Sequence, residues 1–256
     1  MEDMIKRAAA DLAAARFGVA LTGAGISVES GIPPFRGKGG LWEKIDPMEF
    51  AHIDNFMRNP AKVWRVLVGE MKGVIDTAEP NDAHKGLSTM ERLGLIRTII
   101  TQNVDGLHQA AGSTDVIEFH GNFAWQRCMD CDHMLETRKV DMRQMPPRCH
   151  CGGIYRPDCV FFGEMIPPQH LARSRQVATQ CDVMLVVGTS AVVQPAAFMP
   201  VIAKENGAKV IEINPEPTPL TSAVSDYLVQ GKAGEVMSRI VAEIQAQHVS
   251  AKPFSP

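Results

Sequence analysis

Residues Gly18–Arg36 read GVALTGAGISVESGIPPFR. An apolar run, Val19–Leu21, breaks into Thr22-Gly23-Ala24-Gly25 and gives way to a polar segment rich in glycine and proline. The run is too short for a helix of its own and reads as a buried strand. Gly23 and Gly25 permit a tight turn whose backbone N–H groups, with no Cβ in the way, can face an anion such as pyrophosphate. Phe35 and Arg36 then place an aromatic ring and a permanent cation beside that turn, as a loop covering a ligand would. This is not a full dinucleotide fingerprint. Val28 stands where a third glycine belongs, and Glu43 ends no second strand.

Further apolar runs follow at 95–101, 183–187 and 209–213, separated by helical patterns: Asp82–Leu93 opened by Asn81 and stopped by Gly94, Pro167–Thr179, Ala196–Asn206 before Gly207, and Ala233–Gln247. Asn59-Pro60 opens another helix, Ala61–Ile75. Continuous apolar strands alternating with helices predict an α/β fold, a Rossmann-like parallel sheet with helices on both faces. Each strand is followed at once by small or amide residues: Gly23-Ala24-Gly25, Gln102-Asn103, Gly188-Thr189-Ser190 and Asn214. In a parallel sheet those carboxyl ends share one edge, where such sheets bind ligands. Residues distant in sequence are therefore expected to converge on one crevice.

The chain has 256 residues and a net charge of −3. That balance gives no electrostatic support to nucleic-acid or membrane-surface binding. No apolar run approaches the ~20 residues of a transmembrane helix. The N-terminal segment spaces Met4, Ile5, Ala8, Leu12 and Ala15 as an amphipathic helix rather than a secretory signal, so a cytoplasmic location is expected.

Asn122–Arg156 is different: cysteines, prolines and arginines, with no periodic core pattern. It reads as an inserted module held by something other than a core. Cys128-x-x-Cys131 and Cys149-x-Cys151 lie 17 residues apart, a ligand set for a closed, structural Zn²⁺ site, with His133 or His150 as substitute ligands. The same ligands would also serve a rubredoxin-like iron. Cys159 and Cys181 read as core thiols, His84 as a solvated residue on a polar helix face, and His108 as structural.

Taken in order, GAGISVESGIPPFR, TQNVDGLH, His120-Gly121, the two cysteine pairs, PDCVFFGE, GTSAVVQPAA and Ile213-Asn214-Pro215 resemble the sirtuins, NAD-dependent protein-lysine deacylases, from Asp3 to about Ile244. The resemblance implies a catalytic domain over 1–250: a Rossmann-like core (1–36, 79–120, 158–250), a smaller helical insertion with a cofactor loop (37–78) and a zinc ribbon (121–157). It implies NAD contacts at Gly23, Ala24, Gly25, Phe35 and Arg36. Around nicotinamide it implies Gln102, Asn103, Val104 and Asp105. On the adenosine side it implies Gly188, Thr189, Ser190, Asn214 and Ala233. His120 matches the catalytic base, and Val160, Phe161, Phe162 and Gly163 match a strand pairing with the acyl-lysine peptide. In the family reaction the acyl oxygen attacks the nicotinamide ribose, and nicotinamide, free lysine and O-acyl-ADP-ribose are the products.

Two departures carry information. Pro34 replaces the aspartate of many members, so any carboxylate role there is absent or moved to Glu29. The Tyr-x-x-Arg set of desuccinylating members corresponds here to Leu67 and Glu70, so neutral acyl groups are expected. Mono-ADP-ribosyl transfer and a non-catalytic NAD or ADP-ribose sensor are the competing readings. An ordinary dehydrogenase is disfavoured by the missing glycine and acid.

Overall fold

The run around Val19 forms a strand in which every residue is buried, because it lies between two layers of helices. The computed structural model describes residues 1–35, 39–141 and 143–250. In chain order these include α1 (Glu2–Ala13), β1 (Gly18–Thr22), α2 (Asp82–Arg92), β2 (Ile96–Thr101), β3 (Val116–Glu118), β4 (Gly121–Cys128), β5 (Met134–Glu136), β6 (Tyr155–Cys159), α3 (Pro168–Gln180), β7 (Val183–Val187), α4 (Met199–Glu205), β8 (Lys209–Asn214), β9 (Tyr227–Gln230) and α5 (Ala233–Ser250).

Six strands pair in the order β3-β2-β1-β7-β8-β9, all parallel. Each continuous apolar strand divides its side chains between two cores, as a period of two requires. Ala20, Leu185 and Ile213 enter the core shared with α1, α2 and α5. Val19, Leu21, Met184 and Val186 enter the core under α3 and α4. The order of strands reverses direction between β1 and β7, and ligands of doubly wound sheets bind beyond the carboxyl ends at such a point. β9 is a strand that the apolar pattern does not announce; it adds at the edge through Tyr227 and Val229.

The chain leaves this sheet twice. Once it forms short helical turns between Leu41 and Ile75; once it forms an antiparallel sheet, β5-β4-β6. The two excursions pack on each other. Phe56, Val63, Trp64 and Val68 of the first share a core with Phe123, Cys128, Tyr155 and Phe161 of the second. The cysteine-bearing segment therefore has a core after all, supplied by a distant stretch. The expected helix Ala61–Ile75 is interrupted by a π-helical stretch, Trp64–Val68. Its wider register lets Val63 and Val68, five residues apart, face that core together. No helix among the described residues is long and apolar enough to cross a membrane.

Candidate active site

The carboxyl ends of the six parallel strands open onto a cleft of about 1380 Å³. Gly23, Ala24 and Gly25 line it after β1, Gln102, Asn103 and Val104 after β2, and His120 after β3. Gly188, Thr189 and Ser190 follow β7, Asn214 follows β8, and Ala233 follows β9. Phe35 reaches the same cleft from the loop after β1. Asp105 does not line it, and Arg36 lies outside the described residues. The expected convergence is thus observed for the other positions.

The glycines have another reason than the expected one. The Gly23 amide donates to the Val187 carbonyl (3.1 Å) and the Gly25 amide to the Gly188 carbonyl (2.7 Å), so neither faces an anion. What demands glycine is close approach. A Cβ on Gly25 would lie 2.7 Å from the Gly188 backbone, and one on Gly188, whose φ is +60°, would lie 2.3 Å from the Ile26 amide. The rim is cross-tied further along. Gln102 Nε2 donates to Thr189 Oγ1 (3.1 Å), and Asn103 Nδ2 donates to the Gly23 carbonyl (3.2 Å).

His120 sits where β3 of the large sheet hands over to β4 of the small one. Its ring is edge-on to buried Phe119, and Nδ1 lies 3.0 Å from the Gln102 carbonyl. A carbonyl only accepts, so Nδ1 carries the proton and Nε2 keeps its lone pair. Burial lowers the His120 pKa below the ordinary histidine value, partly opposed by that hydrogen bond. The ring is therefore an unprotonated base at neutral pH.

Behind the rim is a buried polar network. Ser27 Oγ donates to Asp105 Oδ2 (2.7 Å) and accepts from Asn103 Nδ2 (3.1 Å), while Asp105 Oδ1 accepts the Leu107 amide (3.0 Å). Asp105 thus holds the first amide of a short helix, Leu107–Ala110, and anchors Ser27 at once. His84 is fully buried, which corrects the expectation of a solvated residue. It lies on the α2 face with Leu87 and Ser88, three and four residues on, both also buried. Its Nε2 is 3.5 Å from Ser27 Oγ, and its ring packs edge-on at 5.0 Å against His108, which is also buried. Burial holds His84 down to about 4, with Asp105 pulling the other way, and holds His108 down to about 3. Glu29, which the departure at Pro34 brought forward, accepts the Gly234 amide (2.6 Å) at the start of α5.

Val160, Phe161, Phe162 and Gly163 line the cleft but are not a strand, since β6 stops at Cys159. The Phe162 amide donates to Ala51 (2.8 Å), and its carbonyl accepts from Ile53 (3.0 Å). The Phe161 amide is taken by Glu164 Oε2 (2.8 Å). The Val160 amide donates to the His120 carbonyl (2.9 Å), so three of the four amides in this cleft wall are bonded within the chain. Cys181 is a core thiol as expected, whereas Cys159 is half-buried and lines the cleft.

The four sulfurs of Cys128, Cys131, Cys149 and Cys151 lie within 4.8 Å of one another. Cys128 and Cys151 approach to 3.5 Å, Cys131 and Cys149 to 3.8 Å. A tetrahedron with metal–sulfur bonds of about 2.3 Å has edges of about 3.8 Å, so the four sulfurs have the spacing to fit one Zn²⁺. His133 and His150 stand beside this cluster; their Nδ1 atoms meet the Tyr155 hydroxyl (2.7 Å) and Cys149 Sγ (3.4 Å).

An open doubly wound sheet with a cleft at its switch point defines an α/β protein of the architecture in which dinucleotides bind. The model of the Sir2 family matches residues 23–195. A relative from Archaeoglobus fulgidus, NAD-dependent protein deacylase 1, is 47% identical over 235 residues, covering 91% of this chain and 95% of its own. A solved Sir2 homolog–NAD complex superposes with a TM-score of 0.87 at 44% identity, covering 96% and 94% of the two chains. Sir2Af2 bound to a myristoylated histone peptide superposes with a TM-score of 0.82 at 39% identity, covering 98% and 100%. The chain belongs to the Sir2 family.

Proposed function

We propose that this protein is an NAD-dependent protein-lysine deacylase, transferring the acyl group of N6-acyl-lysine to ADP-ribose and releasing nicotinamide. The observation that carries this reading is His120. It is a neutral imidazole with Nδ1 fixed as donor and Nε2 free, at the rim where all six parallel strands end. NAD supplies an electrophilic ribose carbon and a nicotinamide leaving group. Gly23, Ala24, Gly25 and Phe35, which line the cleft together, would hold the cofactor there. Gln102, Asn103 and Val104 surround the nicotinamide end, while Asp105 orients Ser27 and Asn103 from behind. Gly188, Thr189, Ser190, Asn214 and Ala233 receive the adenosine end. Through Nε2, His120 takes the proton of a ribose hydroxyl, the task of a general base. O-acyl-ADP-ribose is the product.

The acyl-lysine peptide lies against Val160–Gly163. Ala51, Met71, Val104, Phe123, Phe161 and Ile166 make the adjoining wall apolar, which favours a neutral acyl group, acetyl or longer, over a succinyl one. The side chains of Leu67 and Glu70, which carry the same expectation, lie outside the described ones. A relative's complex with a myristoylated peptide accords with an aliphatic acyl site. Cys128, Cys131, Cys149 and Cys151 hold one structural Zn²⁺, with no position left open for catalysis.

Incubation with acetyl-lysine peptide and NAD should yield deacetylated peptide, nicotinamide and O-acetyl-ADP-ribose in equal amounts. Nicotinamide release with ADP-ribose attached to protein would instead establish an ADP-ribosyltransferase, and binding without turnover a sensor. Succinyl-lysine peptide turned over as well as acetyl-lysine peptide would refute the acyl preference.

A further inference from the structure

Glu212 lies at the centre of β8 and is 1% exposed. By alternation it shares a face with Val210, in the core under α4. A carboxylate placed there needs donors. It has three, all from one downstream segment: Thr218 Oγ1 (2.5 Å) on Oε1, and Thr221 Oγ1 (2.6 Å) and Ser225 Oγ (3.2 Å) on Oε2. The directions of these bonds are set by their neighbours. Thr218 Oγ1 already accepts the Leu220 amide (3.1 Å), and Thr221 Oγ1 accepts the Thr218 amide (2.9 Å), the reciprocal cap of the short helix Pro219–Ala223. Both hydroxyl protons therefore point at the carboxylate.

The segment so held is a wall of the cleft. Pro215, Glu216, Pro217, Thr218 and Pro219 line it directly after Asn214. Three of these five are prolines and have no N–H with which to anchor themselves. Asn214 Nδ2 and Gln230 Nε2 tie the first part through the carbonyls of Glu216 and Pro215. The second part depends on hydroxyls that converge on one buried carboxylate.

We propose that Glu212 is a positioning residue for the dinucleotide: by gathering Thr218, Thr221 and Ser225 it holds the Pro215–Pro219 wall in the shape that receives the adenosine half. This rests on the reading that NAD occupies the cleft. Glu212 touches no reacting atom, so its effect is confined to cofactor affinity. A glutamine of the same size cannot replace it, because one of its ends presents N–H to a hydroxyl whose proton already points there.

The test compares Glu212→Gln and Thr221→Val with the unaltered protein. It uses steady-state kinetics with acetyl-lysine peptide, calorimetric binding of ADP-ribose, and thermal unfolding. Losing charged hydrogen bonds predicts a roughly tenfold rise in both KM for NAD and Kd for ADP-ribose in Glu212→Gln, and roughly threefold in Thr221→Val. kcat at saturating NAD and KM for peptide should stay within about twofold in both variants, since neither residue meets substrate lysine or the base. A folded Glu212→Gln with unchanged KM for NAD overturns the proposal. So does a loss shared equally by kcat and both KM values, which would make the residue merely structural. Should Glu212→Gln fail to fold, Thr221→Val and Ser225→Ala decide by the same criteria. An unaltered protein that neither binds ADP-ribose nor uses NAD removes the underlying reading and the proposal together; normal binding there with unchanged variants removes only the role of Glu212.

Discussion

An imidazole acts as a base when one nitrogen is committed as donor and burial disfavours the charged ring, and His120 meets both conditions through Gln102 and its place beside Phe119. Replacement by alanine should cut peptide turnover by about 10²-fold or more while the fold and zinc content persist. Its lowered pKa also places the acid limb of kcat/KM for NAD below the ordinary histidine value near 6.5, which a pH–rate profile would locate. His84 and His108 act on stability instead. Both are neutral when folded, held down to about 4 and about 3 by burial, and titrate near 6.5 when unfolded. Between those values the unfolded chain binds more protons, so stability is complete above about pH 6.5 and falls as the pH drops toward 4. Each ring should cost on the order of 2 kcal/mol at pH 5. Urea midpoints at pH 7.5 and 5 test this, and a double His84→Gln/His108→Gln variant with an undiminished drop would assign it to other groups.

At the scale of elements, the turn after β1 and the turn after β7 are one packed unit. Gly23 and Gly25 donate into β7 and its loop, and Gly188 sits against Ile26. Gly188→Ala combines a left-handed backbone with a backbone clash and should destabilise by roughly 3 kcal/mol or more. Gly207→Ala, at φ +87° but with nothing within 4 Å, should cost only about 1 kcal/mol. Denaturant unfolding of the two compares conformational strain with strain plus close approach. The pattern Gly-Ala-Gly is legible in sequence, but the reason for it is not. A glycine needed for an anion and a glycine needed for a neighbouring strand look alike until the neighbour is known.

For the whole molecule, the cysteine module and the helical insertion stand or fall together. Trp64, fully buried, gives its indole N–H to the Tyr155 carbonyl (2.8 Å) in the core they share. Trp64→Ala should cost about 3–5 kcal/mol. Hydrogen exchange should then rise together in 41–75 and 121–159. Removing the metal with a chelator under reducing conditions should loosen the same two stretches and leave the six-stranded sheet protected. Loosening confined to 128–151 would show that the two excursions are independent. Both segments border the cleft, through Ala51 and Met71 on one side and Phe123 and Pro157 on the other, so metal loss should also weaken peptide binding.

The sequence by itself determined the parallel sheet, the rim of small and amide residues and the two cysteine pairs, because strand burial and paired thiols write short, local patterns; His120 stands out only through the ordered set of motifs, since a lone histidine at a strand end carries no such pattern. It did not determine β9, the burial of His84, the bonded amides of Val160, Phe161 and Phe162, or the core joining Trp64 to Tyr155. Each of these depends on which distant surface a segment meets: His84 looks solvated until Ser27 and His108 close over it, and an apparent module without a core gains one from residues nearly a hundred positions away. Spacing records what a residue can do along its own element, and only tertiary packing decides what stands opposite.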